Sequence, residues 1–295
     1  MKWIIKNPAP LNQKWGDFYF GRSLTKYLKR LGHEVKTHYY EEWNNNEKAD
    51  VILVLRGYHL YKPINDGAIN IMWNISHPDF VSLEEYESYD IVFVASETYA
   101  RELKKRVTKP VYPLLQCTDP EQFYIKDSLM DSNREGIIFV GGTRGVKRSC
   151  VIWSIKHGFP IKVWGGGWQK FINKEKIVAG HIENEEIPNL YSQAKVILND
   201  HWADMLKYGF INNRTFDALA CGLPIISDFN EELFKLFPTE ILYYRNEEEF
   251  IKCIKNCDLN YLQIKKRVNN VIPKIRDEFS FENRVRMMLK KIEQQ

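Results

Sequence analysis

The sequence predicts an α/β protein with two Rossmann-like domains. Short apolar runs, typical of buried strands, alternate along the whole chain with longer stretches of helical periodicity. This alternation indicates parallel sheets covered by helices. A polar stretch without periodicity, residues 124–135, separates two halves that each contain six such runs. A length of 295 residues suits two domains or one large domain.

Six strands are predicted in each half. We place them at 3–6, 34–39, 50–56, 70–75, 91–95 and 111–115, and then at 136–140, 161–164, 176–179, 196–199, 224–227 and 241–244. We expect a first domain over 1–123, a linker over 124–135, a second domain over 136–278 and a terminal helix over 279–295 that packs back toward the first domain. The two sheets are expected to face each other across a cleft, because open α/β sheets bind ligands at the carboxyl ends of their strands.

The clearest predicted helix covers residues 17–31. Gly32 follows its last turn, where helices commonly end, and Asp17 stands where an N-cap residue is expected. The apolar face of this helix is formed by residues at helical spacing, namely Phe18, Leu24, Tyr27, Leu28 and Leu31.

The composition favours folded domains and excludes a polycation. Hydrophobic residues make up 44% of the chain, which is ample for two cores and argues against disorder. The formal net charge of +4, from 42 basic and 38 acidic residues, is too small for a protein built around nucleic-acid binding. One basic stretch runs from Arg101 to Lys109. It is interpreted as a solvated helix face, with docking to an anionic membrane surface or an anionic acceptor as the sharper alternative.

Cysteine usage and hydropathy bear on the compartment. The five cysteines show no metal-ligand spacing, and an odd number of them without a signal peptide indicates a reducing environment. The apolar run at the N-terminus is too short for a secretion signal, and no run approaches the length of a membrane span. We therefore expect a cytoplasmic protein, with at most peripheral contact at the inner membrane face.

The strongest functional signal lies in residues 212–228, which read NNRTFDALACGLPIISD. The pattern predicts a helix that ends at Gly222, a short turn and a buried strand. Arg214 and Asp217 lie one turn apart near the start of this helix, where a cation and an acid can hold a phosphate and a ribose. The stretch resembles the sugar-nucleotide signature of glycosyltransferases with the GT-B fold. This resemblance implies that Asp217 binds the donor ribose, with Asn213 and Arg214 beside it.

Within that fold family, the pattern is most similar to CgeB-like proteins and to the family-4-like enzymes known as glycosyl transferases group 1. It continues with Glu-Glu-Leu-Phe over 231–234 and an acid at Glu240. Two positions depart from the family pattern. Many retaining members carry a second acid eight residues before the first, where this chain has Gly209, and Asp217 stands where Glu is commoner.

The second half opens with a predicted strand, the turn Gly141-Gly142 and a helix start, a layout typical of phosphate cradles and equally of a simple strand-to-helix turn. Arg144, Lys147 and Arg148 follow and can stabilise a leaving diphosphate. The loop resembles the Gly-x-x-x-Lys region of retaining GT-B enzymes. The resemblance implies that these side chains bind the donor diphosphate, with Lys147 and Arg148 as alternatives for one role.

Three more positions of the second half are implied by the same resemblance. The glycine-rich run between Trp164 and Trp168 is similar to the strand-Gly-x-Gly-Trp element of these enzymes, which implies that Gly166 contacts the donor. In the family, the loop after the next strand meets the nucleobase mainly through backbone groups, and here it contains His181 and Ile182. His201, which follows a further strand, is a candidate contact for a donor or acceptor sugar.

Two loops of the first half complete the predicted site. Gly16 and Asp17 lie in the first strand-to-helix region, where GT-B enzymes bring the backbone against the transferred sugar. Residues 74–79 follow a buried strand and resemble the His-Asp or His-Glu-Pro loop of retaining enzymes. The resemblance implies that His77 and Asp17 act near the reacting centre and that Gly16 and Asp79 contact a sugar. A helix cap and a structural histidine are the alternatives.

The resemblance implies a glycosyltransferase that moves a sugar from a nucleotide sugar, a UDP-sugar foremost, to a glycan, lipid-linked, protein or nucleic-acid acceptor. No Asp-x-Asp motif occurs, so we expect no metal site and no cofactor, with basic side chains on the diphosphate instead. Two alternatives stay open. One is a sugar-nucleotide epimerase or hydrolase, and the other is a non-catalytic glycan- or partner-binding protein on a decayed GT-B fold, which the missing acid at Gly209 would fit.

Overall fold

Each half of the chain builds one six-stranded parallel sheet in the computed structural model, which describes residues 1–14, 16–45, 47–64, 66–126, 134–143 and 145–294. The strands are β1 (Lys2–Lys6), β2 (Glu34–His38), β3 (Val51–Arg56), β4 (Ile69–Asn74), β5 (Ile91–Val94), β6 (Val111–Pro113), β7 (Glu135–Val140), β8 (Ile161–Trp164), β9 (Ile177–Ala179), β10 (Ala194–Asn199), β11 (Ile225–Asp228) and β12 (Ile241–Tyr244). All twelve predicted strands are confirmed, with ends that differ from the prediction by at most two residues.

Helices connect most of these strands. They are α1 (Gly16–Arg30), α2 (Leu83–Glu87), α3 (Glu97–Leu103), α4 (Ser149–Lys156), α5 (Ile187–Gln193), α6 (Ala203–Lys207), α7 (Asn213–Ala220), α8 (Glu231–Leu236), α9 (Glu247–Leu259), α10 (Tyr261–Glu278) and α11 (Phe281–Ile292). The predicted helix over 17–31 is α1, displaced by one residue. Gly16 and Asp17 both lie in its first turn, so the expectation that Asp17 is the N-cap is wrong.

The chain divides into two compact units. Unit 1 comprises Met1–Cys117, Trp202–Asn212 and Phe279–Gln295, and unit 2 comprises Thr118–His201 and Asn213–Glu278. The range expected for a second domain, 136–278, is therefore interrupted by Trp202–Asn212, which groups with unit 1. The reason is hydrophobic, because Met205 and Phe210 are buried in a core of unit 1. In addition, the Ser96 hydroxyl donates a hydrogen bond to the carbonyl of Tyr208 over 2.6 Å.

The sheet of unit 1 has the strand order β2-β1-β3-β4-β5-β6, and every neighbouring pair is parallel. Its central strands are apolar on both faces, as expected for a sheet covered by helices. In β3, Leu53 and Leu55 belong to one hydrophobic cluster, and Ile52 and Val54 belong to another. Because successive side chains of a strand point to opposite faces, unit 1 has a core on each side of its sheet.

The final helix, α11, completes one of these cores. The ring of Phe281 meets that of Phe20 from α1 in a T-shaped contact, with 4.7 Å between the centroids. Val285, Met288 and Ile292 follow at helical spacing and lie in the same cluster. The apolar stripe of α11 is therefore buried against unit 1.

The sheet of unit 2 has the order β12-β11-β10-β7-β8-β9, again with all pairs parallel. Between β10 and β11, α7 ends where the sequence predicts. Gly222 adopts a left-handed conformation with φ of 63°, and the N–H of Leu223 donates to the carbonyl of Ala218 over 2.9 Å. This is the Schellman arrangement, which favours glycine because a left-handed residue has no penalty when Cβ is absent.

Replacing Met288 by alanine is expected to lower the free energy of unfolding by about 2–5 kcal/mol, because a fully buried side chain leaves a cavity. The neighbouring Met287 is 41% exposed and gives a matched control. Met287→Ala should cost less than about 1 kcal/mol. Urea denaturation of both variants measures the difference, and equal losses would show that α11 is not packed as described.

Candidate functional site

The strand order of unit 2 places a ligand-binding edge between β7 and β10. In chain order these six strands read 3-2-1-4-5-6 across the sheet, and the order reverses between β7 and β10. Open α/β sheets bind ligands outside the carboxyl ends of the strands at such a switch point. The segments that leave these ends are the loop at 141–148 and the residues from Asp200 onward.

The loops after β7 and β8 are packed backbone against backbone. The N–H of Gly141 donates to the carbonyl of Trp164 over 2.8 Å, and that of Thr143 donates to the carbonyl of Gly166 over 3.0 Å. Gly165 has φ of 135°, and a Cβ there would lie 2.3 Å from the carbonyl oxygen of Gly141. A side chain at this position would therefore force the two loops apart. The glycines predicted to contact the donor thus form one closely packed layer.

Arg214 connects this layer to the start of α7. Its Nε donates to the carbonyl of Val140 over 2.8 Å, and its Nη1 donates to Oδ1 of Asn199 over 3.0 Å. The guanidinium also lies over the ring of Phe139, 5.1 Å from its centroid. Burial lowers the pKa of Arg214, although a guanidinium keeps its charge at neutral pH. A Cβ on Gly141 would come within 2.5 Å of Nη2 of Arg214, so the glycine makes room for this side chain.

Of the three cations predicted after the glycine turn, the two that the structure describes have different surroundings. Arg148 forms a buried, bidentate ion pair with Asp200, and its Nε lies 2.7 Å from Oδ2. Burial lowers the pKa of Arg148, but the hydrogen bond and the charge of Asp200 outweigh it, so the pKa is raised. Lys147 is exposed. Arg144 lies outside the described residues.

Asp217 is a buried carboxyl that accepts two hydrogen bonds. The hydroxyl of Thr118 donates to Oδ1 over 2.7 Å, and Nδ2 of Asn213 donates to Oδ2 over 3.2 Å. Burial raises the pKa of Asp217 to about 8, and the negative charge of Asp119 acts in the same direction. Thr118, Arg214 and Asn213 oppose the shift without cancelling it. A carboxyl held this way can exchange hydrogen bonds with ligand hydroxyls.

The remaining predicted positions of unit 2 are divided between surface and core. Gly166 and His181 are exposed and Ile182 is half-buried. His201 has a buried ring whose Nδ1 lies 2.7 Å from Oδ1 of Asp228. Burial raises the pKa of Asp228, but His201 outweighs it and the pKa is lowered. Nε2 of His201 is buried and has no hydrogen-bond partner in the described part of the chain. The contact of this ring with Asp228, the last residue of β11, gives it a structural role at the end of that strand.

In unit 1, His77 has a constrained backbone and a paired ring. It follows β4 in a left-handed conformation with φ of 52° and ψ of 55°. Among the described non-glycine residues it alone has positive φ, a conformation that is uncommon without glycine and clusters at functional sites. Its Nδ1 lies 3.4 Å from Oδ2 of Asp204 on α6. The segment that interrupts the expected second domain thus contributes a partner to His77.

Arg56 holds two loops in place, namely the loop that follows β3 and the loop after β4 that contains this histidine. Its Nε and Nη2 donate to the carboxylate of Glu85 over 2.6 and 3.0 Å. The same guanidinium donates to the carbonyls of Gly57 and Phe80, each over 2.7 Å. Because the pair is buried and bidentate, it fixes geometry more strongly than a surface ion pair would.

The other predicted positions of unit 1 lie nearer the surface. Gly16 is exposed and Asp17 is half-buried, and the backbone carbonyl of Asp17 accepts a hydrogen bond from Nδ2 of Asn7 over 2.8 Å. Asp79 is exposed, with Oδ1 3.9 Å from Nζ of Lys207. These placements leave their predicted roles at a sugar as predictions.

The sequence patterns did not predict three contacts of the candidate site, which involve Thr118, Asp204 and the Arg56–Glu85 pair. Thr118 is 99 positions before Asp217, and no local pattern joins them. An arginine at the carboxyl end of the buried β3 was the one available signal, because a charge in such a strand needs a partner.

The described residues form neither a metal-binding cluster nor a membrane-spanning helix. Over the described ranges, no group of three or more His, Cys, Asp or Glu side chains could hold a metal ion. In that same part of the chain no helix is long and apolar enough to cross a membrane. In the basic stretch Arg101, Lys104, Lys105 and Arg106 are exposed, and membrane contact there stays a prediction.

Residues 149–290 match the protein family described as glycosyl transferase-like. No curated protein sequence matches the chain. Solved structures similar over nearly the whole chain include a sucrose-phosphate synthase from Thermosynechococcus elongatus, with a TM-score of 0.70, 13% identity and coverage of 99% of this chain and 98% of that one. Anabaena HepE in complex with UDP-glucose has a TM-score of 0.70, 9% identity and 100% coverage of both chains. An alpha-glucosyltransferase in complex with UDP and a 13-mer DNA has a TM-score of 0.67, 14% identity and coverage of 98% and 100%.

These similarities establish the fold, and the family match establishes the class of domain over 149–290. The chain has the GT-B fold of these structures, and its residues 149–290 match the glycosyl transferase-like family. The predicted fold class and the resemblance to group 1 glycosyl transferases are confirmed.

The stability of the unliganded protein should depend on pH through Asp217. The pKa of this carboxyl rises from an ordinary 3.8 to about 8 on folding, so the folded state keeps a proton that the unfolded chain releases. The stabilisation is complete below about pH 4 and is lost as pH rises through 8. Asp217→Asn removes the effect. The variant should therefore gain stability relative to the unmodified protein as pH rises from 4 to 8, by at most about 1.4 kcal/mol per pH unit.

Urea denaturation at pH 5, 6.5 and 8 (roughly spanning the window of loss) measures this difference. Asp258→Asn, which alters an exposed acid of unit 2, is the matched control and should show no such trend. A constant difference across the three pH values would contradict the buried, protonated carboxyl.

Proposed function

We propose that the protein transfers a sugar from a nucleotide sugar, with UDP as the nucleotide, and that unit 2 holds the donor. The observation that carries this proposal is Asp217. It is buried, accepts hydrogen bonds from Thr118 and Asn213, and lies on α7, whose first turn also carries Arg214. A carboxyl beside a guanidinium suits a ribose joined to a phosphate.

The backbone layer at the β7–β10 switch point supports a position for the diphosphate. The glycines of the two loops let a ligand approach the main chain closely. Because Arg148 already pairs with Asp200, we assign direct phosphate contact to Lys147 rather than to Arg148. Arg144 keeps the same role as a proposal from the sequence. Backbone contact with the nucleobase near His181 and Ile182, and with the donor at Gly166, is proposed on the same basis.

The choice of UDP follows structural neighbours. HepE has been solved in complex with UDP-glucose and an alpha-glucosyltransferase in complex with UDP. Those ligands belong to those proteins, and their sharing of the fold with this chain supports UDP as the first donor nucleotide to test. A metal-independent reaction with retention at the anomeric carbon is part of the proposal, with the guanidinium and ammonium charges of the donor loops in the place of a metal ion.

The backbone at Gly209 bears on the alternative of a decayed, non-catalytic protein. Gly209, where many family members carry an acid, closes α6 in a left-handed conformation with φ of 73°. A glutamate would be strained in this turn. The glycine at this position therefore has a local backbone reason, which supports the catalytic proposal over the decayed alternative.

A thermal-shift panel of UDP, GDP, CDP and dTDP, with and without EDTA, tests the proposal. UDP at about one hundred times its dissociation constant should stabilise the protein by about 2.7 kcal/mol, with or without the chelator. Asp217→Asn should lose most of that shift, whereas Asp258→Asn should keep it. Proton NMR of the sugar product then reports retention or inversion.

No shift with any nucleotide would contradict donor binding by unit 2. A shift that survives in Asp217→Asn would contradict the role assigned to this carboxyl. A shift that EDTA abolishes would contradict metal independence.

A further inference from the structure

Unit 1 exposes large aromatic rings at the carboxyl ends of β3 and β4. Tyr58 is 63% exposed and Phe80 is 52% exposed. Their ring centroids are 5.5 Å apart, and the ring planes are nearly perpendicular at 86°. We call these two residues, together with His77 and Trp202, the aromatic platform. Exposed apolar side chains that adjoin one another in this way indicate a binding surface more often than scattered ones do.

The rings of the platform hold one another in place. His77 stacks on Phe80 with 5.2 Å between centroids and 13° between planes, and its other neighbours are Tyr58 at 5.9 Å and Trp202 at 5.6 Å. The left-handed backbone of His77 fixes the course of its loop. A surface whose rings are positioned before binding loses little conformational entropy when a ligand arrives.

The backbone beneath the platform is equally constrained. Arg56 donates hydrogen bonds to the carbonyl of Gly57, next to Tyr58, and to the carbonyl of Phe80 itself. Nδ2 of Asn74 donates to the carbonyls of Arg56 and Ser76 over 3.1 and 2.8 Å. One buried network thus holds both loops that carry exposed rings.

The location of the platform is that of a ligand site in an open sheet. The strand order of unit 1 reverses between β1 and β3, and Tyr58 lies two residues beyond the carboxyl end of β3. Ligands bind outside the carboxyl ends of strands at such a point. The platform is therefore placed for a substrate.

The charges around the platform favour a neutral ligand. Among the described residues near the platform, two cations, Lys62 and Lys207, are exposed together with the acids Asp66, Asp79 and Glu84, and Nζ of Lys207 lies 3.9 Å from Oδ1 of Asp79. A polyanion such as nucleic acid, or an anionic membrane, requires clustered cations. The exposed cations of the stretch 101–109 come at the end of α3 and precede β6, which places them at the opposite edge of this parallel sheet.

We infer that the aromatic platform binds a sugar ring of the acceptor, and hence that the acceptor is a neutral glycan. A pyranose has C–H groups on its faces and hydroxyls around its edge. Its faces match Tyr58 and Phe80, while the carboxylate of Asp79 and the imidazole of His77 can accept hydrogen bonds from its hydroxyls. This inference rests on the proposed glycosyl transfer.

Saturation-transfer NMR with four neutral trisaccharides, maltotriose, cellotriose, mannotriose and triacetylchitotriose, tests the inference. At least one trisaccharide should receive saturation from the unmodified protein. Tyr58→Ala and Phe80→Ala should each weaken its binding about three- to tenfold, the usual range for one aromatic contact. Tyr58→Phe keeps the ring face and should bind nearly as well. Tyr124→Ala, which alters an exposed aromatic residue of unit 2, should have no effect.

Three outcomes would overturn the inference. The first is the absence of saturation transfer to all four trisaccharides. The second is saturation transfer that both alanine variants leave unchanged. The third is an affinity for a single-stranded oligonucleotide or for phosphatidylglycerol vesicles, in place of glycans, that depends on Tyr58. The UDP thermal shift is a separate readout in unit 2. A UDP shift without glycan binding would remove the acceptor inference alone, whereas glycan binding without any nucleotide shift would remove the proposed donor function.

Discussion

The guanidinium of Arg214 is the contact on which the arrangement of the donor region depends. It donates hydrogen bonds to the carbonyl of Val140 at the end of β7 and to the side chain of Asn199 at the end of β10. It also belongs to the same short helix as Asp217. Neither strand end could move without losing a hydrogen bond to a charged group, each of which contributes about 1.5–3 kcal/mol. The position of Asp217 therefore follows from that of Arg214.

The same region contains a conflict between stability and function. The carboxyl of Asp217 is buried, and its burial favours the protonated form. A neutral or apolar residue would be easier to accommodate there. Natural proteins keep such costly groups at sites that bind ligands, where the ligand supplies the missing partners. The ribose hydroxyls of a nucleotide are partners of this kind, which connects the electrostatics of the unliganded protein to its proposed substrate.

The sequence predicted every described strand and the fold class because those features are local. Apolar runs of four to six residues and glycine at the ends of helices are visible without knowledge of the fold. The site was predicted less completely, because its contacts join distant positions. Arg148 and Asp200 lie 52 residues apart, so the sequence could not decide between Arg148 and Lys147. The contact of Asp204 with His77 could not be predicted for a related reason. Trp202–Asn212 packs with unit 1, although the segments before and after it in the chain belong to unit 2.

The most direct measurement of the central claim is calorimetric binding of UDP and of its 2′,3′-dideoxy analogue to the unmodified protein and to Asp217→Ala. If Asp217 binds the ribose, loss of the two hydroxyls should weaken binding to the unmodified protein at least about tenfold. The alanine variant, already weaker, should scarcely distinguish the two ligands. An equal loss of affinity in both proteins would show that the hydroxyls are bound elsewhere and would contradict the account of the donor site.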